Sequence, residues 1–374
     1  MASEHAAMLK ESVADFIARG MDIGRVRKLR GTPGEYDRAV WKQMADLGWL
    51  GIAVPEAYGG MGLGLAETAI VAEGLGRALA PEPYTACAVL AATILAEGDN
   101  EPLKADVLPR IAGGDLIPAV AWQEQAGATD GAHVALAATP FEGGYRLNGT
   151  KRYVVGAAGA DAYIVAGKAD SGLVLGYLDR NAAGVTQALE PLADGRHFGT
   201  LALDNALVPR ERVIATGDAA AAALSRALDR ARAVASAELY GVMSRALEMS
   251  VDYMKTRVQF GKPIGSFQAL QHRAVNLYIQ QQLASATLDD SLRVLDRDPE
   301  PRQRAAIASR LKARCSDAGV RIAREAIQIH GAIGFTDEYD AGLYLKRALV
   351  LAAWLGTATQ HRRRYAALAL QSED

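Results

Sequence analysis

The sequence predicts an α+β chain: a helical block, then a compact antiparallel β block, then a second helical block. Three observations carry this. Up to about residue 118 apolar residues recur at helical spacing. From Ala119 to about Thr216 short β-branched and aromatic runs are separated by turn residues. From about Gly217 the helical period returns and persists. The expected domains are 1–118, 119–216 and 217–374.

In the first block Val40, Met44 and Leu47 fall at i, i+4 and i+7, so they predict one face of a helix that Gly48 ends. Gly59-Gly60-Met61-Gly62 predicts a loop that needs backbone freedom. In the second block Tyr163 to Val165 and Leu173 to Leu178 read as strands. Gly143-Gly144 and Asn148-Gly149 read as turns, and Asn-Gly is a strong hairpin signal. A barrel or sandwich is expected. In the third block the alanine run 219–223 starts a helix. Leu224, Leu228, Ala231 and Ala235 share a face, as do Val242, Ala246, Met249 and Tyr253, before Gly261 and Pro263. Further helices are expected over Asn276 to Asp296, Pro301 to Ile329 and beyond Asp340. No GxGxxG follows a strand, which argues against a Rossmann site.

Composition narrows the function classes. Half of the 374 residues are apolar, 22% are charged and the formal net charge is −2, which argues against a general nucleic-acid binder. The cysteines, Cys87 and Cys315, are far apart and read as reduced thiols, with no metal-ligand spacing around them. No run approaches the roughly 18 apolar residues of a membrane span. The start, with Glu4, Lys10 and Glu11, lacks the layout of a signal peptide, so a cytoplasmic location is expected.

Four segments resemble the acyl-CoA dehydrogenase family: Leu47 to Gly64 (LGWLGIAVPEAYGGMGLG), Tyr253 to His272 (YMKTRVQFGKPIGSFQALQH), Ala326 to Thr336 (AIQIHGAIGFT), and the pair Glu124 to Asp130 and Leu147 to Asp161. The second segment and the tail from Gly356 to Ala366 look most like the group of pimeloyl-CoA dehydrogenase small subunits. The resemblance implies an N-terminal helical domain, a middle β domain and a C-terminal four-helix bundle. It implies FAD as cofactor, an acyl-CoA substrate, an electron acceptor such as an electron-transfer flavoprotein, and a homo- or hetero-oligomer, dimeric or α2β2. No nucleic acid or membrane is implied.

In the family each FAD lies across a subunit interface. By resemblance Arg257, Phe260, Gln268, Gln328 and Gly331 match the helical contacts to the opposing subunit's FAD, where a permanent cation and donors suit a pyrophosphate. Trp122, Gln123, Ala128, Thr129, Tyr153, Val155 and Thr357 match the flavin side. Several of these depart from the family, two of them with a lost threonine: Gln123 stands where a threonine normally precedes the glutamate, and Val155 replaces a threonine normally near flavin N5, so it cannot donate a hydrogen bond.

The larger departure is the base. The family abstracts the acyl α-proton with a carboxylate in a Tyr-Glu-Gly-Thr run. Here the run is Trp354-Leu355-Gly356-Thr357, with Leu355 at the base position. A minority of members carry the base ten residues before the glycine matching Gly241, and that position is Ala231. Glu238 shares the face of Ala231 but is displaced by about 10 Å along the helix, and Asp229 is rotated by about 200°. Glu238 is the candidate substitute, although a structural role is expected for both acids. The backbone N–H of Leu355 remains available to bind a thioester carbonyl. These features favour a subunit that completes its partner's FAD site. The alternatives are a homomeric flavoenzyme with a relocated base or altered flavin chemistry, and a non-catalytic binding protein on the same fold.

Overall fold

Helical periodicity becomes helix over most of the chain. The computed structural model describes residues 2–32, 34 and 36–370, so the outermost ends of the first and last expected domains lie outside it. The helices are α1 (Ala2–Gly20), α2 (Ile23–Leu29), α3 (Arg38–Asp46), α4 (Leu65–Arg77), α5 (Ala92–Glu97), α6 (Glu101–Ala112), α7 (Gly217–Thr256), α8 (Gln268–Leu295), α9 (Pro301–His330), α10 (Ala341–Ala353) and α11 (Ala358–Leu370). The strands are β1 (Pro118–Ala121), β2 (Ala137–Phe141), β3 (Gly144–Val155), β4 (Ala162–Ala169), β5 (Gly172–Asp179), β6 (Val185–Pro191), β7 (His197–Pro209), β8 (Val213–Thr216), β9 (Val258–Gln259) and β10 (Lys262–Pro263). Helices first, a sheet in the middle and helices last is the expected α+β order. Among the described residues no helix is long and apolar enough to cross a membrane.

The chain divides into two compact units, one of Met1–Lys28, Ala69–Ala80 and Arg232–Asp374, the other of Leu29–Thr68 and Pro81–Ala231. The first unit is organised by α9, which packs against α8, α10 and α11. Its inward face carries Ala308, Leu311, Cys315, Ala318, Ile322 and Ala326, the i, i+3, i+4, i+7 spacing of a stripe facing a core. Helix α8 begins at Gln268, eight residues before the expected start, because Phe267 in extended conformation lets the helix begin at once.

The second unit is built on an eight-stranded sheet of order β6-β7-β3-β2-β4-β5-β8, with β1 on β4. Its ladders are antiparallel except β1–β4 and β2–β4, which are parallel. Tyr163, Val165, Val174, Leu178, Leu201 and Val208 form part of its core. Two expectations are corrected here. Asn148-Gly149 is not a hairpin. It lies inside β3, opposite a register shift in β7, and the Asn148 side-chain oxygen accepts the backbone N–H of Asn205. The β2–β3 turn is Glu142-Gly143 instead, with Phe141 paired to Gly144. On α3 the buried side chains are Trp41 and Met44, whereas Leu47 is exposed, because α3 ends at Asp46 and position 47 has already left its face.

Within the first unit α4 and α7 meet backbone to backbone. A Cβ on Gly241 would lie 2.0 Å from the Glu73 carbonyl oxygen, and one on Gly76 would lie 2.0 Å from that of Glu238. Gly241→Ala should therefore lower unfolding free energy by about 1–3 kcal/mol through forced separation of the helices. Gly20→Ala, which faces open space, should change it by less than about 0.5 kcal/mol. Equal denaturation midpoints for the two variants would contradict the close crossing.

Candidate functional site

The candidate base segment is a left-handed turn between α10 and α11. Helix α10 stops at Ala353 and Trp354 turns extended. Leu355 then adopts φ +61°, a region that favours glycine, and Gly356 adopts φ +108°. Holding a leucine there costs roughly 1–2 kcal/mol, so something must enforce it. Three buried basic side chains do so. His361 Nε2 donates to the Leu355 carbonyl at 2.8 Å, and Arg232 Nε points at the same oxygen from 3.4 Å. Lys312 Nζ donates to the carbonyls of Leu351 at 2.8 Å, Ala352 at 3.3 Å and Gly356 at 3.3 Å, and to Ser316 Oγ at 3.1 Å. All three basic groups are fully buried. Lys312 thereby caps the negative end of α10. Thr357 and Gln360 close the other side as a capping box: Gln360 Oε1 accepts the Thr357 N–H at 2.8 Å and its hydroxyl at 2.9 Å.

The carbonyls of this turn face the cations, while the Leu355 N–H makes no hydrogen bond among the described residues. The Leu355 side chain is itself buried. The electrostatics follow from the crowding. Burial, Arg232 and Lys312 together push His361 down to about 2, so its ring is neutral, and the proton sits on Nε2 because a carbonyl can only accept. Burial and Arg232 bring Lys312 down to about 7. Burial pushes the Cys315 thiol up to about 12. Neither cysteine is in a disulfide, and both are buried.

Among the described residues no carboxylate stands in this turn. Glu238 is nearly buried and bound by Arg347, with Oε1 at 3.0 Å from Nε and 2.5 Å from Nη2. A carboxylate committed to a buried guanidinium is a structural ion pair. Ala231 and Asp229 are both fully buried on α7. Asp337 and Asp340 accompany Arg27, with Asp340 at 2.7 Å.

In the second unit the residues matched by resemblance to the flavin side, other than Thr357 of the first unit, lie on or beside a bulge and the loop tied to it. β3 carries one extra residue between Lys151 and Val154, and within it Tyr153 adopts φ +60°. The Arg152 N–H reaches the Gln123 carbonyl at 2.8 Å, which ties the loop after β1 to the bulge. Gln123 turns inward and donates to the Ala128 carbonyl at 3.2 Å, so the residue replacing threonine braces the loop. Trp122 and Ala128 are buried; Thr129, Tyr153 and Val155 are half-buried. Underneath lies an ion pair that the sequence reading missed: Lys151, fully buried, donates to Glu124 at 2.5 Å and to the Trp122 carbonyl at 3.1 Å. Glu124 also accepts the N–H groups of Ala135 and Leu136. Burial brings Lys151 down to about 8, opposed by Glu124.

The helical contact residues are all in the first unit. Val258–Gln259 and Lys262–Pro263 form a two-residue hairpin whose tip, Phe260-Gly261, has positive φ at both positions. Phe260 is 92% exposed. Arg257 is exposed and pairs with no carboxylate among the described residues, and Gln268 and Gln328 are exposed. The Arg273–Glu325 ion pair at 2.8 Å brings the first turns of α8, which carry Gln268, beside the last turns of α9, which carry Gln328. An exposed guanidinium, two exposed amides and an exposed phenyl ring set edge-on to Phe267 at 6.1 Å are groups that would suit the pyrophosphate and aromatic base of FAD.

The chain is similar to known proteins along its whole length. A model described as acyl-CoA dehydrogenase, N-terminal domain, matches residues 3–115, and one described as acyl-CoA dehydrogenase, C-terminal domain, matches residues 220–370. The chain is 31% identical to acyl-CoA dehydrogenase IpdE2 of Mycolicibacterium smegmatis over 97% of its length and 98% of that protein's. Among solved structures it is similar to a variant of the Tcur3481-Tcur3483 steroid ACAD, with TM-score 0.90, 29% identity, and 100% and 99% of the two chains covered. It is also similar to the ChsE4-ChsE5 complex from Mycobacterium tuberculosis, with TM-score 0.88, 29% identity, and 98% and 97% covered.

The buried neutral His361 sets an acid sensitivity. An unfolded chain protonates its imidazole near the ordinary 6.5, whereas the folded chain resists down to about 2. Between those values the unfolded state binds the extra proton. Its contribution is therefore fully present above about pH 6.5 and is lost as pH falls, by up to about 1.4 kcal/mol per pH unit. His361→Gln should flatten the stability profile between pH 6.5 and 5 in urea unfolding. An undiminished slope in the variant would place the acid sensitivity elsewhere.

Proposed function

The chain belongs to the acyl-CoA dehydrogenase family of FAD-binding oxidoreductases, and from that premise we propose that it is one subunit of a hetero-oligomer whose partner chain supplies the catalytic base. The observation behind this reading is Leu355: the base position holds a buried alkyl group, the candidate substitute Glu238 is committed to Arg347, and the Leu355 N–H stays available. Dehydrogenation of an acyl thioester needs a carboxylate within hydrogen-bond reach of the α-carbon, and this segment provides none. Bound FAD would supply the hydride acceptor, with an electron-transfer flavoprotein as the further acceptor. The solved structures named as Tcur3481-Tcur3483 and the ChsE4-ChsE5 complex each name two components, which supports a paired assembly here. By motif the chain resembles the group of pimeloyl-CoA dehydrogenase small subunits.

The residue roles follow. Arg257, Phe260, Gln268, Gln328 and Gly331 hold the adenosine and pyrophosphate of the opposing subunit's FAD. Trp122, Gln123, Ala128, Thr129, Tyr153, Val155 and Thr357 face the flavin. Exposed Val275, Tyr278, Ile279 and Leu283 on α8, with Phe260 and Phe335, supply an apolar surface suited to a subunit interface.

Two outcomes test the reading. Arg257→Ala removes a charge-assisted contact worth on the order of 1.5–3 kcal/mol, so flavin absorbance after gel filtration should fall. Full retention would take Arg257 out of the site. The purified chain alone should dehydrogenate no acyl-CoA in a dye-coupled assay, since general-base help is worth about 10²–10⁴ in rate. Leu355→Glu should raise turnover if the base is the only part missing, and a partner chain with its own carboxylate should rescue the wild type. Robust turnover by the wild-type homomer would overturn the proposal.

A further inference from the structure

We infer that Lys312, assisted by His361, is a positioning residue that sets the left-handed turn at Leu355 and thereby aims its free backbone N–H at the acyl-thioester carbonyl. This rests on the reading of that N–H as the carbonyl donor.

The turn has no reason of its own to form. Leucine resists φ +61°, and Trp354-Leu355-Gly356 lacks the αL glycine at the first position after the helix that usually ends one. What distinguishes it is the set of groups beneath. One ammonium on α9 gathers four acceptors: two carbonyls of the last turn of α10, the carbonyl of Gly356 beyond the turn, and Ser316 Oγ. Lys312 therefore bridges residues 351 and 356, the two ends of the segment that reverses direction at Leu355. His361, one turn into α11, fixes the carbonyl of Leu355, which Lys312 does not reach. The Leu355 N–H lies inside this held segment and makes no hydrogen bond among the described residues.

The second consequence is electrostatic. A buried ammonium costs desolvation, and here it is tolerated because the acceptors are carbonyl dipoles at a helix end, with no carboxylate among them. Its charge is therefore not cancelled by an adjacent acid. Lys312 touches no substrate in this scheme and acts only through the turn.

The test compares the FAD-loaded wild type with Lys312→Met and Lys312→Arg, the latter keeping a buried multi-donor cation. Hydrogen exchange of the peptide covering 351–357 reads the turn, and ionisation of bound acetoacetyl-CoA, seen as enolate absorbance, reads the donor. In Lys312→Met the segment should exchange about tenfold faster, as for loss of a charge-assisted hydrogen bond, with α8 unchanged. Enolate formation should fall in the same variant, and Lys312→Arg should restore part of both. A folded Lys312→Met with wild-type exchange and enolate formation would overturn the inference. If Lys312→Met does not fold, His361→Ala must show the faster exchange, and its absence there would overturn the inference equally. Failure of the wild type to bind acetoacetyl-CoA would sink the carbonyl-donor reading instead, while the exchange comparison would still decide whether Lys312 sets the turn.

Discussion

The constraint on which the functional segment depends is the satisfaction of a buried lysine. A fully buried ammonium must find acceptors, and in this chain they are the carbonyls at the end of α10. That requirement fixes where α10 stops and turns Gly356 back toward α9. It also obliges Leu355 to accept a backbone conformation that a leucine avoids. The neutral His361 and the Arg232 guanidinium complete the same shell from α11 and α7. Three helices of the first unit thus converge on one strained peptide. Strain of this kind persists only where surrounding structure over-determines it.

A parallel arrangement underlies the bulge in β3. Lys151 is as buried as Lys312, yet its partner is a carboxylate, Glu124, that is itself tied to two backbone N–H groups. The pair fixes the loop following β1 against the bulge that carries Tyr153. Where the loop departs from the family pattern, at Gln123, the replacement side chain spans the loop to Ala128 and preserves its shape. The scaffold of this half is therefore kept while the chemistry offered at Val155 is not, since no side-chain donor remains there.

The sequence was most legible where physics is periodic. The helical stripes of α7 and α9, the strands at Tyr163 and Leu173, and the division into helices, sheet and helices all follow from apolar spacing. It misled at Asn148-Gly149, because the pair that favours a hairpin also serves a strand facing a bulge in its neighbour, and only the partner strand distinguishes the two. It was silent on Lys312, Arg232, His361 and Lys151. A lysine within a charged helix, in a run such as Arg310-Leu311-Lys312-Ala313-Arg314, looks like every other solvated cation. Its burial is decided by residues 39 to 44 positions away in the chain. The faint signal was the flanking set of small residues, Ala308, Ala313, Cys315 and Ser316, which leave room for a long side chain to stay inside.

These interactions also bear on why a leucine is stable at the base position. In a relative with glutamate there, a carboxylate would stand on a turn whose far side carries a cation cluster, and the cluster would hold it ionised. With leucine, that compensation is gone, and the turn retains its positive side and its free N–H without an acid. Such a site attracts and polarises a carbonyl oxygen but accepts no proton from the adjacent carbon. Polarisation lowers the barrier only for a proton that has somewhere to go. On the proposed reading the arrangement is chemically incomplete within this chain, and a carboxylate-bearing partner would supply the missing acceptor without requiring this chain to rebuild the turn.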